Sequence, residues 1–168
     1  PAMTRNLNEG LGDKNFNCPV VAYYPEVIKN NMDILKEKDI NYLSPYIGID
    51  RKQFNKKLYE YLKQYYPSIK LRNVNKAIKE AYNEYYYFKG LLDSECDRIL
   101  KYALDNDKQV IVVAGRPYHI DNIVDHEIDK LIVNLGACVV TEEAIARKSN
   151  KVKTSVINQW TYHARLYA

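Results

Sequence analysis

Within seven residues, Gly115-Arg-Pro-Tyr-His-Ile-Asp121, the chain collects side chains suited to holding an anion and moving a proton. Gly115 lets the backbone turn or approach a ligand closely, Arg116 can fork onto a carboxylate or phosphate, and His119 can exchange a proton near neutral pH. Tyr118 adds a hydroxyl and an aromatic face. The run follows Val110-Ile-Val-Val-Ala114, an apolar stretch with the character of a buried parallel strand. Ligands in open parallel sheets bind beyond the carboxyl ends of strands, which makes this loop the first candidate site. The plainer alternative is that Arg116 and His119 tie the loop to neighbouring carboxylates. Tyr23-Tyr-Pro-Glu26 is a second candidate loop, offering Tyr24 and Glu26.

Other chemistries have weaker signals. His119 and His126 are seven apart and Asp121, Asp125 and Asp129 recur at four, which invites a metal, but acids in the first turns of a helix have an ordinary explanation in its dipole. The glycine patterns of dinucleotide and phosphate loops and the serine nucleophile elbow do not occur. Cys18, Cys96 and Cys138 form no C-x-x-C pair, and their odd number argues against a secreted disulfide scaffold. Cys96 falls on an apolar helical stripe and Cys138 inside an apolar strand, so both read as packing, whereas Cys18 stands outside any core stripe.

These residues need a scaffold. Pro19–Tyr23 reads as a short strand, Val27, Ile28, Met32 and Leu35 as a helix after it, and Asp39–Leu43 as a second strand ended by Ser44-Pro45. Asp50 and Gln53 resemble a capping box ahead of a helix with Phe54, Leu58, Tyr61, Leu62 and Tyr65 on one face, ending at Pro67. A longer stripe runs Val74, Ile78, Ala81, Tyr85, Phe88, Leu92, Cys96, Ile99 and Ala103, with Gly90 as the place for a bend or break. Val110–Ala114, the stripe Ile120–Leu135 closed by Gly136, and Ala137–Val140 form another strand-helix-strand unit. The expected fold class is α/β, a mostly parallel sheet built from two strand-helix-strand units with a helical insert between them. Residues 1–17 read as a polar leading segment, with Pro1-Ala-Met3 as a cloning remnant, and 18–168 as one domain. Its parts are 18–49, the insert 50–108, the second unit 109–145 and a helical segment 146–168.

Composition bounds the function. The 168 residues are 46% hydrophobic and 27% charged, which suits one globular unit and excludes a disordered chain. Apolar runs reach about five residues, far short of the ~20 of a membrane helix, so a cytoplasmic protein without membrane partners is expected. Sixteen tyrosines accompany many Asn and Lys, a pattern of A- and T-rich coding rather than of a stacking surface. The net charge of +4 is uneven: residues 51–80 are strongly basic and 115–145 acidic. A basic helical face can meet phosphates of nucleic acid or of coenzyme A, but no nucleic-acid signature accompanies it.

Three stretches carry a family resemblance: Asn17-Cys-Pro-Val-Val-Ala22 with Tyr24-Pro-Glu-Val-Ile-Lys-Asn-Asn31, Val113-Ala-Gly-Arg-Pro-Tyr-His-Ile-Asp121, and Asn158-Gln-Trp-Thr-Tyr-His-Ala-Arg165. Together they resemble the large activase-type proteins of the 2-hydroxyacyl-CoA dehydratase family, over most of residues 15–168. The resemblance implies a piece of a longer chain from an anaerobic bacterium, in which an ATP-hydrolysing activase module drives a low-potential electron into an iron–sulfur protein. That electron serves dehydration of a 2-hydroxyacyl-CoA, a lyase reaction, or a related reduction. This chain looks like the dehydratase-like portion, with ATP bound only on the separate module and the fragment alone inactive. On this reading Cys18 is the iron–sulfur ligand candidate, because a soft thiolate suits iron. Tyr24, Glu26, Arg116, Tyr118, His119, Trp160 and His163 are the ligand-binding candidates, for an acyl-CoA among others. The rival expectation is a non-catalytic scaffold or interaction module within the parent protein.

Overall fold

The computed structural model describes residues 2–5, 7, 14, 16–49, 52–121, 123–148, 155 and 160–162. Strand β1 (Ala2–Arg5) pairs in parallel with β2 (Tyr46–Gly48), and the chain between them carries α1 (Pro19–Asn31) and α2 (Ile34–Glu37). Strand β3 (Val110–Val113) pairs in parallel with β4 (Cys138–Thr141), Val110 opposite Cys138 and Val113 opposite Thr141. Their crossover holds a 3-10 turn (Pro117–Ile120) and α5 (Ile128–Asn134). Helices α3 (Phe54–Lys63) and α4 (Leu71–Asp105) lie between the two units, and α6 (Glu142–Ile145) follows β4 directly. The fold is α/β with parallel strand pairing, and each sheet has two strands among the described residues.

The strands of the first unit lie elsewhere than the residue pattern predicts. Pro19–Tyr23 is the opening of α1, because Pro19 occupies the first helical turn, where its fixed φ suits a helix and its missing N–H costs nothing. Pro25 continues that helix, almost fully buried. Asp39–Leu43 is not a strand either. Asp39 adopts a left-handed φ of 46°, and the amides of Asp39 and Ile40 reach back to the carbonyls of Lys36 and Leu35, closing α2. The pairing strand is instead β1, within the residues expected as a polar leader, where Ala2 and Met3 face Tyr46 and Ile47 across the ladder.

Helix α4 is the spine, 35 residues and roughly 52 Å long at 1.5 Å per residue. It runs unbroken through Gly90, where an added Cβ would meet nothing within 4 Å. Its first half packs against α3, its second against β4 and α6. Cys96, Val140 and Ala144 form a buried cluster with Ile99, Leu100, Val110 and Ile145 against it. Phe88, expected on the inner stripe, is half exposed, and Lys89 is buried in its place. A buried ammonium needs a counter-ion, and Glu143 supplies it, with the Tyr85 ring 5.3 Å from Lys89 Nζ. Asp93 and Asp97, the next two turns of that face, pair with Arg147 at 2.9 Å and Lys148 at 2.7 Å. Three ion pairs thus clamp the segment after β4 onto α4.

Of the expected long helix Ile120–Leu135, only Ile128–Asn134 is α-helical. Asp121 Oδ1 accepts the Ile123 amide, and His126 and Glu127 both take left-handed φ values, which delays the helix by two turns. Gly136, at φ 95°, ends it. The capping residue Asp50, and most of 146–168, lie outside the described residues; α3 starts after Gln53, whose side chain makes no capping bond, and ends before Pro67.

Candidate functional site

The loop leaving β3 is built around one close approach. A Cβ on Gly115 would stand 2.8 Å from His119 Nδ1, so only glycine leaves room for the imidazole. The ring is there because His119 Nδ1 accepts the Arg116 backbone amide at 3.1 Å, while the His119 amide donates to the Arg116 carbonyl at 2.8 Å. An amide donor requires an unprotonated Nδ1, which assigns the proton of the neutral ring to Nε2. Tyr118 packs edge-on against the same ring at 4.3 Å between centroids. The reciprocal bonds fix a turn that leaves the imidazole exposed and the Arg116 side chain half-buried.

Arg116 is supported from a distant part of the chain. Its guanidinium carbon lies 6.0 Å from the centre of the Tyr162 ring, at the outer reach of a cation–π contact. Tyr162 in turn is held by its neighbours. Trp160 forms a parallel bridge with Phe16, and Thr161, only 1% exposed, donates both its amide and its hydroxyl to the Phe16 carbonyl at 3.0 and 3.2 Å. Asn17 beside this bridge is buried, and Cys18 follows as the half-buried cap of α1. Thus Trp160–Tyr162 links Phe16 on one side to Arg116 on the other, segments far apart in sequence. Among the described residues the half-buried Arg116 guanidinium forms no ion pair.

Tyr24 and Glu26 belong to another neighbourhood. Tyr24 is exposed on α1. Glu26 is half-buried beside a tyrosine cluster, in which Tyr23 and Tyr46 stack edge to face, Tyr61 tilts against Tyr65 at 5.4 Å, and Tyr42 donates to the Pro25 carbonyl at 2.9 Å. Burial above all pushes the Tyr61 hydroxyl up from its ordinary value, helped by Tyr65 and by the Glu26 charge. His163 lies outside the described residues.

The thiols do not fit an iron–sulfur cluster held by this chain by itself. Cys96 and Cys138 are interior, and burial pushes the Cys96 thiol above its usual range, the opposite of what a thiolate ligand needs. No group of three or more His, Cys, Asp or Glu side chains comes together among the described residues. The acids after His119 serve the backbone: Asp121 holds the turn, and buried Asp125 accepts the Asp129 amide at the start of α5.

Residue patterns missed Tyr162 as the support of Arg116 and Lys89 as an interior cation. The signal for Lys89 is its spacing of four from both Tyr85 and Asp93, which puts it on the packed face. They also missed an apolar groove between α3 and α4, lined by Phe54, Leu58, Leu62, Val74, Ile78 and Tyr85 among others. No helix among the described residues is long and apolar enough to cross a membrane.

Comparison with known proteins gives one finding. The family model described as CoA enzyme activase uncharacterised domain matches residues 1–145, which includes the Arg116 loop and stops short of Trp160–Tyr162. No curated protein and no solved structure matches the chain.

Proposed function

The chain belongs to the CoA enzyme activase uncharacterised domain family, and from that premise we propose that it is a dehydratase-like, non-ATPase portion of an activase system for CoA enzymes, with the Gly115–Asp121 loop as its anion-binding surface. The observation that carries the reading is the loop beyond β3, where the Arg116 guanidinium lies 6.0 Å from the Tyr162 ring centre and is unpaired by any described acid, and His119 is oriented by the Arg116 amide. A guanidinium held this way suits the phosphates of coenzyme A, and an exposed Nε2–H beside it suits a thioester or phosphate oxygen. Cofactor chemistry enters only with the rest of the parent protein: Cys18 contributes one thiolate to a cluster completed by ligands outside this chain, and ATP binds the separate activase module. The electron such a cluster supplies serves 2-hydroxyacyl-CoA dehydration or a related reduction.

Calorimetric titration of this chain with coenzyme A and with its 3′-dephospho form tests the anion site. Removing a charged hydrogen-bond donor costs about 1.5–3 kcal/mol, so Arg116→Ala should weaken binding by roughly ten- to a hundredfold. Unchanged affinity in Arg116→Ala removes the reading. Iron and acid-labile sulfide in the anaerobically purified parent protein test Cys18: loss in Cys18→Ser with the fold intact supports ligation, and equal content places the cluster elsewhere.

A further inference from the structure

The turn at the carboxyl end of β3 is closed by a bond whose acceptor is a titratable nitrogen. His119 Nδ1 takes the Arg116 amide at 3.1 Å, and the His119 amide returns to the Arg116 carbonyl at 2.8 Å, so the two residues cap each other across Pro117–Ile120. Caps of this kind are ordinarily made by a carboxylate, hydroxyl or amide oxygen, which keeps a lone pair to offer throughout the range around neutrality. An imidazole nitrogen has a single lone pair in the ring plane, and a proton takes it. Of all unperturbed side chains, imidazole is the one that gains and loses that proton between about pH 5 and 8.

The surroundings fit only the neutral ring. Nδ1 stands 2.8 Å from where a Cβ on Gly115 would be, close against the backbone, with the Arg116 N–H directly before it. A proton on Nδ1 would set two N–H groups against each other at hydrogen-bond distance, and the ring would have to leave. The charged and titratable groups about it are Arg116, Tyr118 in edge contact at 4.3 Å, Asp121 at the end of the turn, and Tyr162, which reaches the loop through Arg116. Asp121 spends Oδ1 on the Ile123 amide, and His119 forms no ion pair among the described residues, so no carboxylate there holds an imidazolium in place. We propose that the turn is a proton-operated latch: neutral His119 holds it shut, and protonation of Nδ1 releases the ring and the Arg116 amide, so that the strand-end loop changes conformation in mild acid. Because Arg116 is itself the first residue of the turn, the placing of its guanidinium follows the state of the latch. The inference rests on the two reciprocal bonds and the Gly115 clearance, and not on what the loop binds.

Nuclear magnetic resonance on the isotope-labelled whole chain reads the latch directly, at about pH 8 and about pH 5, the two ends of the imidazole range. At the alkaline end the ring should show the Nε2–H tautomer, with a scalar coupling across the hydrogen bond joining the Arg116 amide nitrogen to His119 Nδ1. At the acid end that coupling should vanish, the contact between the Tyr118 and His119 rings should be lost, and protection of the Arg116 amide from solvent exchange should fall about tenfold, the worth of one hydrogen bond. His119→Asn sets an amide oxygen where Nδ1 stood and does not titrate, so its Arg116 amide should stay protected throughout. His119→Phe has no acceptor and should be open at both ends. A coupling missing at the alkaline end, or one that persists in acid, overturns the proposal. An Asn variant that opens in acid as the wild type does would hand the pH dependence to another group, such as His126 or Asp121, and overturn it too. So would protection lost from the α4 amides in step with Arg116, because the change would then be acid unfolding of the whole chain.

Discussion

At Gly115 a single methyl group decides the geometry of the candidate anion site. With a Cβ 2.8 Å from His119 Nδ1, Gly115→Ala must push the imidazole aside and break its bond to the Arg116 amide. We expect the Arg116 amide resonance to shift and its hydrogen exchange to quicken, with coenzyme A affinity falling; an unmoved amide would contradict the role given to His119. The cysteines sort by burial. A maleimide should label the half-buried Cys18 in the folded chain and reach Cys96 and Cys138 only on unfolding, and equal rates for all three would disprove the packing described around Cys96. The chemistry types of these residues were legible in the sequence, since a Gly-Arg-Pro-Tyr-His run after an apolar strand reads as a strand-end loop. Their mutual bonds were not, because a three-residue hydrogen bond and a 2.8 Å clearance depend on the turn the backbone takes.

Among the elements, the α4–α6 clamp concentrates the electrostatics. Lys89 and Glu143 keep only 10% and 20% of their side-chain surface exposed, so removing one takes the opposite charge away from a largely desolvated group. Lys89→Ala should cost about 2–4 kcal/mol by urea denaturation, while Lys89→Met with Glu143→Leu should recover most of it. Additive losses in the double variant would show that the two charges do not depend on each other. The outer pair Lys148–Asp97, more exposed, should be worth about 1 kcal/mol or less. Gly136 ends α5 at φ 95° with open space where a Cβ would go, so Gly136→Ala should lose roughly 1 kcal/mol through backbone strain. A neutral result by thermal denaturation would mean that the helix end relaxes.

On the scale of the whole molecule, burial sets the alkaline limit of stability. The Cys96 thiol and Tyr61 hydroxyl are both raised in the folded chain, chiefly by burial, so folding holds their protons more tightly than the unfolded chain does. That contribution is complete below the unfolded values, near 8.5 for a thiol and 10 for a phenol, and is lost as pH rises through the folded ones. The urea midpoint should therefore decline above about pH 9, and Cys96→Ala should remove the earlier part of the decline; a slope unchanged in that variant would exclude Cys96 as its source. The sequence by itself determined the α/β class, the long α4 and the β3 and β4 strands, because their apolar runs and stripe pack against each other in a common core, whereas the stripe Ile120–Leu135 is broken by the turn at Asp121 and the left-handed His126 and Glu127. It misplaced the first unit, since a five-residue β-branched run opened by proline serves a helix as well as a strand, and β1 hides in a polar leader that only its partner Tyr46–Gly48 reveals. Tertiary structure alone decided which distant residues meet. Thr161 seals onto Phe16, Tyr162 comes beneath Arg116, and Lys89 finds Glu143, across gaps of 145, 46 and 54 positions, because such contacts follow from how elements pack and no local pattern encodes them.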